Sequence, residues 1–397
     1  MANAREVVIV GGARTAIGDY GGSLKDIPPT ELGARVVREA LQRANVAPDM
    51  IAQCVFGNVI HTEARDMYLS RVVGVTAGLS HKRGALTVNR LCGSGLQAIV
   101  SASQYIMLGD IDAAVGGGAE SMSRGLYGST TQRWGARMGD AKLVDMMVGA
   151  LTDPFDTVHM GITAEKVATK CGITREQQDA FAVESHRRAA RAQSEGRFKS
   201  QILPIELKTR KGTTMFDTDE HVRSDASVEG MAKLRPVFAK ENGTVTAGNA
   251  SGINDAAAAV VLMERQAAQR AGAKPIARLV AYGHAGIDPS IMGLGPVSAV
   301  KNAIAKAGIS LKDVDVIESN EAFAAQALGV SQQLDLDPAK VNPNGGAVAL
   351  GHPIGATGCI LMIKAMYELQ RSGGRYGLVT MCIGGGQGIA AVFERLH

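Results

Sequence analysis

The last third of this chain repeats the order of the first, and that order limits the folds open to it. Ala40-Leu41-Gln42-Arg43-Ala44-Asn45-Val46 leads through a short acidic turn to the apolar run Cys54-Val55-Phe56-Gly57-Asn58. Ala303-Ile304-Ala305-Lys306-Ala307-Gly308-Ile309 leads in the same way to Val316-Ile317-Glu318-Ser319-Asn320. In each copy a glycine-rich turn, a long helix and a strand ending in three glycines follow, at Gly116-Gly117-Gly118 and at Gly384-Gly385-Gly386. A repeated strand-helix order predicts an α/β fold of two similar halves packed together.

Between the copies the texture is irregular, with Trp134, scattered methionines and a strongly polar run from Lys208 to Asp225. Residues 122–249 therefore read as an inserted loop domain, which on a rigid scaffold is where substrate is commonly held. Residues 1–121 plus 250–273 form the N-terminal half and 274–397 the C-terminal half, since 397 residues exceed one ordinary domain. Within this frame, Val7 to Val10 predicts a buried strand, and Glu31 to about Ala44 a helix capped by Thr30. Thr174 with Gln177 has the spacing of a capping box, for a helix reaching about Gly196.

A net charge of +4 is mild for this length and gives no basis for nucleic-acid binding. The N-terminus shows no signal peptide and no stretch is long and apolar enough to span a membrane. Five scattered cysteines without CxxC or Cys/His spacing predict reduced thiols in the cytoplasm and no metal site.

Four separated spots carry chemistry. Val88-Asn89-Arg90-Leu91-Cys92-Gly93-Ser94-Gly95 puts a cysteine at the corner between a strand and a helix, where free N–H groups and the helix dipole favour a thiolate. Ser319-Asn320-Glu321-Ala322-Phe323 ends a strand with polar side chains, the usual ligand position of an α/β fold. In Gly351-His352-Pro353 the proline biases His352 away from helical dihedrals, so its imidazole belongs to the turn before a helix. Thr380-Met381-Cys382-Ile383 puts a second cysteine at a strand end. Singly, Cys92 and Cys382 read more readily as core filler and His352 as a structural histidine. Together, two strand-end thiols, a turn histidine and a strand-end asparagine are poorly explained by packing.

On Asn89 to Gly95, Asn320 to Phe323, Gly351-His352-Pro353 and Cys382-Ile383-Gly384-Gly385-Gly386, the sequence resembles the thiolase family along its whole length. Within it, the likeness is to bacterial biosynthetic acetyl-CoA acetyltransferases and to the broad-chain β-ketothiolases of polyhydroxyalkanoate synthesis. The resemblance implies a reversible Claisen condensation of two acyl-CoA molecules through an acyl-enzyme, with CoA thioesters as substrates and no tightly bound cofactor. It implies Cys92 as nucleophile, His352 as the acceptor of its proton and Cys382 as the acid/base at the α-carbon. It further implies one oxyanion site made by His352 and a water held by Asn320, and another made by the N–H groups of Cys92 and Gly384. Substrate contacts carried over are His159, Met160, Arg223, Ser227, Leu234, Ala247, Ser251, Met292 and Phe323. The family also implies the thiolase fold, two duplicated five-stranded α/β halves packed together with an inserted loop domain, and a homotetramer.

Three rivals remain. Gly93-Ser94-Gly95-Leu96-Gln97-Ala98 fits a dinucleotide fingerprint, but no acidic residue follows at the ribose position. Cys92, His352 and Asn320 could form a hydrolytic trio, which leaves Cys382 without a role. A non-catalytic acyl-CoA-binding module needs no reactive sulfur at all.

Overall fold

The computed structural model describes residues 5–209 and 212–396. Among them, nine strands follow one another in the main sheet: β1 (Val7–Thr15), β2 (Gln53–Gly57), β3 (Gly84–Val88), β4 (Ala113–Ser121), β5 (Asn254–Glu264), β6 (Ala277–Gly286), β7 (Val314–Ser319), β8 (Tyr376–Ile383) and β9 (Gln387–Arg395). The spatial order is β7-β8-β9-β6-β1-β5-β4-β2-β3. The helices that matter to the site are α1 (Pro29–Ala44), α2 (Ser94–Leu108), α3 (Met160–Cys171), α4 (Arg175–Ser194), α5 (Gly295–Ala307) and α6 (Ile354–Ser372).

Outward from the centre, β1, β5, β4 and β2 match β6, β9, β8 and β7 in order and in direction, antiparallel twice and then parallel. The first half adds β3 beside β2. In the second half the place of that fifth strand is taken by one parallel bridge, Ile317 to Val341. Within the sheet, the two halves join where Val8 pairs with Arg278 and Ile9 with Ala277. Strands β1, β4 and β5 are buried along their whole length, which accounts for their unbroken Val/Ala/Gly runs.

Helix α1 begins at Pro29 with Pro28 at its cap, two residues before the Glu31 start and Thr30 cap that the sequence suggested; proline tolerates the first turn because its missing N–H has no partner there anyway. Thr174 and Gln177 do form a reciprocal capping box on α4. The polar run after Lys208 is not all loop: Ile205–Thr209 and Gly212–Phe216 pair as an antiparallel hairpin.

The two glycine triplets are not equivalent. Gly116 to Gly118 lie inside β4, which continues to Ser121, whereas Gly385 and Gly386, at φ 82° and 84°, form the turn between β8 and β9. The first triplet serves close packing. A Cβ on Gly118 would run into the carbonyl of Gly355 at the start of α6, and one on Gly358 would run into the backbone of Leu96 on α2. Helices α2 and α6 thus touch backbone to backbone between the two halves, and α6 packs on strands of both. Gly118→Ala should therefore destabilise the fold by about 1–3 kcal/mol, read as a lower denaturant midpoint at unchanged slope. No helix among the described residues is long and apolar enough to cross a membrane.

Candidate active site

Cys92 stands two residues ahead of α2, in a corner tied by its own backbone. Asn89 Oδ1 accepts from Leu91 N–H at 3.1 Å, and Ser94 Oγ accepts from Arg90 N–H at 2.8 Å. Leu91 is held at φ 46°, a conformation rarely adopted by a bulky side chain, so the corner is strained immediately before the sulfur. Cys92 is partly exposed, edged by Ile60, Met122 and Ile354, and its sulfur accepts from its own N–H and from that of Gly384. Burial nevertheless pushes the thiol up to about 11, outweighing those two donors. The thiolate suggested by the helix corner is thus not the resting form, because loss of water costs the charge more than the N–H groups return.

The candidate base, His352, is held in a nearly fixed orientation. His352 lies in the turn before α6 and is buried. Its Nδ1 is 2.7 Å from Thr357 Oγ1, and that hydroxyl donates to Pro353 O at 2.9 Å. The hydroxyl has one hydrogen, so it accepts from Nδ1–H and leaves the lone pair on Nε2. Burial lowers the imidazole to about 4, keeping it neutral. Nε2 faces Asn320 Nδ2 at 3.4 Å, and Asn320 Oδ1 is buried without a partner. Cys382, fully buried on β8, packs with Met160, Met292 and Phe323, and burial raises its thiol further, with Cys92 adding to the effect. A Cβ on Gly384 would meet the Met160 methyl at 2.8 Å, so a larger residue here would displace the end of that side chain.

The remaining candidates divide into two groups. His159 caps α3, its Nδ1 accepting from Gly161 N–H at 3.1 Å, and it stacks on Phe238 with ring centroids 4.5 Å apart. Phe238 stands edge-on to Phe323 at 6.3 Å. Ser251 joins this inner group through its N–H, which donates to Ala322 O at 3.0 Å. Arg223, Ser227, Leu234 and Ala247 instead line an outer cleft of about 330 Å³ with His186 and His221.

Comparison with known proteins decides what this arrangement belongs to. Residues 7–266 match the family model described as thiolase, N-terminal domain, and residues 273–395 that of thiolase, C-terminal domain. The chain belongs to the thiolase family. It is 67% identical over 392 residues to the beta-ketothiolase BktB of Cupriavidus necator, covering 99% of this chain and 100% of the relative. Among solved structures, the Bacillus anthracis acetyl-CoA acetyltransferase superposes with a TM-score of 0.96 at 42% identity, over 99% of both chains. Human mitochondrial 3-ketoacyl-CoA thiolase in complex with CoA gives 0.97 at 43%, over the whole of both. The protein is an acyltransferase of the thiolase fold, with the doubled α/β halves that the repeat suggested.

Several residues of this thiolase's site were not singled out in the sequence. Glu120, fully buried, accepts from the N–H groups of Ile60 and Val59 and from Asn58 Nδ2, all at 3.1 Å, and from Gly355 N–H at 2.8 Å. It pins the start of α6 to the first half, and burial raises it to about 8 against those donors. A lone carboxylate ending an apolar strand was the available signal. Thr357 was legible as the hydroxyl one helical turn beyond Pro353. Phe238 gave no signal, because its contacts are made only by folding. Thr357→Val keeps the shape but strands a buried Nδ1–H, so we expect the acylation rate to fall about ten- to a hundred-fold in stopped-flow assays of CoA release.

Proposed function

We propose that this thiolase condenses two acetyl-CoA molecules to acetoacetyl-CoA and CoA, reversibly, by a ping-pong route through an acylated Cys92. The observation that carries the reading is the pairing of two thiols with one neutral, tautomer-fixed histidine. Cys92 attacks the thioester carbonyl, its proton passes to His352 Nε2, and that proton leaves on the departing CoA sulfur. The free enzyme has a thiol near 11 and an imidazole near 4, so proton transfer is uphill until negative charge appears on the substrate oxygen. The N–H groups of Cys92 and Gly384, already beside the sulfur, receive that charge.

In the second half-reaction the Cys382 thiol first gives its proton to His352 Nε2, and the thiolate then removes a proton from the α-carbon of the second acetyl-CoA. The carbanion attacks the acyl carbonyl, and the departing Cys92 sulfur takes its proton back from His352. A buried thiolate is a strong base, which suits a weakly acidic C–H bond. The enolate oxygen accepts from His352 Nε2–H while that proton is held there, and from a water bound by the unpartnered Asn320 Oδ1. Hydrolysis by a Cys-His-Asn trio would leave the buried Cys382 unused.

Arg223, Ser227, Leu234 and Ala247 hold the nucleotide end of CoA, while His159, Met160, Ser251, Met292 and Phe323 line the thioester and acyl end. Longer 3-ketoacyl-CoA thioesters are further candidate substrates. Division at 1–121 plus 250–273, 122–249 and 274–397 assigns the nucleophile, the CoA contacts and the remaining catalytic groups to separate parts. The enzyme works in the cytoplasm as a homotetramer, and Trp134 and Met138, at 86% and 97% exposure, are suited to burial between subunits.

The direct test is acetoacetyl-CoA consumption with free CoA, followed at the absorbance of its enolate, with initial rates giving parallel double-reciprocal lines. Intersecting lines would remove the acyl-enzyme from the route. The acid limb is a second test. Since His352 protonates only near 4, kcat/KM should hold through the mildly acidic range and fall as pH approaches that value. A break near 6.5, the ordinary imidazole value, would contradict a desolvated base.

A further inference from the structure

The outer cleft and the catalytic histidine are joined by three hydrogen bonds. His221, on the wall of the cleft beside Arg223 and 6.4 Å from the ring of His186, places Nδ1 2.5 Å from Asp19 Oδ1. The same Oδ1 accepts from Asn254 Nδ2 at 3.2 Å. Asn254 Oδ1 in turn accepts from the backbone N–H of His352 at 2.9 Å. Four distant stretches of chain therefore converge on one line from a cleft wall to the catalytic turn. None of the three side chains in this line is needed by the chemistry derived above.

The local structure leaves the line little slack. The short strand Gly18–Asp19 pairs with Asn254 and Asp255 at the start of β5, and Asn254 Nδ2 also donates to Gly18 O at 3.1 Å. Gly351, at φ 102°, lies so close to the Asn254 amide that a Cβ there would collide with it. Gly252 brings His221 and Asn254 within van der Waals reach of one backbone position. Asp19 Oδ1 is shared, so a ligand that draws His221 toward or away from it changes what the carboxylate gives to Asn254. Asn254 passes the change to the backbone that sets where His352 Nε2 points. Coupling of this kind requires a ligand that distinguishes two arrangements of the shared acceptor, and His221 in the cleft wall provides the contact.

We propose that Asp19 and Asn254 are positioning residues that couple occupancy of the outer cleft by the nucleotide part of CoA to the orientation of His352. The proposal rests on the thiolase reading of the two sites. It is tested with two thioesters that share an acetyl group: acetyl-CoA, which fills the outer cleft, and S-acetyl-N-acetylcysteamine, which lacks the nucleotide and does not reach it. Asp19→Ala should lower the maximal rate of Cys92 acylation by acetyl-CoA about five-fold or more, with the short thioester changed less than about two-fold. Asp19→Asn, which keeps an oxygen acceptor, should restore most of the rate. His221→Phe, which keeps the ring and loses Nδ1, should reproduce the selective loss.

Equal loss with both thioesters would make Asp19 a structural support only and overturn the coupling. A change confined to KM, or no change with either thioester, would overturn it as well. Acylation of the unaltered enzyme by acetyl-CoA is read in the same experiment, so failure of the functional reading is distinguishable from failure of the coupling.

Discussion

Cys92→Ala is expected to lose both half-reactions, with kcat reduced by on the order of 10⁴-fold or more. No other group stands where this sulfur stands. It lies at a strained corner between Leu91 at φ 46° and a glycine whose Cβ would meet Ile383, and two N–H groups converge on it. The alanine variant keeps the corner and the donors but has nothing to carry the acyl group. Thiolysis and condensation should vanish together, and residual ping-pong turnover would remove Cys92 from the nucleophile's role. The fold should tolerate the change well, because Cys92 is partly exposed and the ties of the corner run through Asn89 and Ser94.

Cys382→Ala should separate the two steps. Its sulfur is fully buried among Met160, Met292 and Phe323. The variant should still release one CoA per site from acetyl-CoA and accumulate acetyl-Cys92. Condensation should then fall by about 10²–10⁴-fold, the usual worth of a positioned acid/base. Normal condensation with intact acylation would show that another group takes the α-proton. Loss of acylation in this variant would instead show that the two thiols act as one unit.

The doubled architecture was legible because it is written in order: amphipathic helix, acidic turn, apolar strand, each twice. The strand pairing behind it was less so. The bridge at Val341 takes the place of a fifth strand in the second half, and the parallel pairing beside it depends on contacts distant in sequence. The two glycine triplets looked alike as letters. One serves a backbone crossing against Gly355 and the other a hairpin turn at positive φ, and only the fold tells them apart.

At the candidate site, Cys92, Asn320, His352 and Cys382 could be singled out because each ends a strand or precedes a helix in a recognisable block. The ionisation of Cys92 could not be read the same way. Helix position argued for a thiolate, but the burial that raises it to about 11 arises when Ile60, Met122 and Ile354 close around it. The tautomer of His352 likewise depends on Thr357 already giving its hydrogen to Pro353. Asn254 and Asp19 carried no motif that points to His352, since they meet it only through the folding of distant segments.

The central claim is most directly tested by peptide mass spectrometry of the protein mixed with acetyl-CoA alone and quenched in acid. The account predicts one added acetyl group on the peptide containing Cys92, with none on the peptide containing Cys382. An acetyl group on Cys382, or continued release of CoA with Cys92 unmodified, would contradict it.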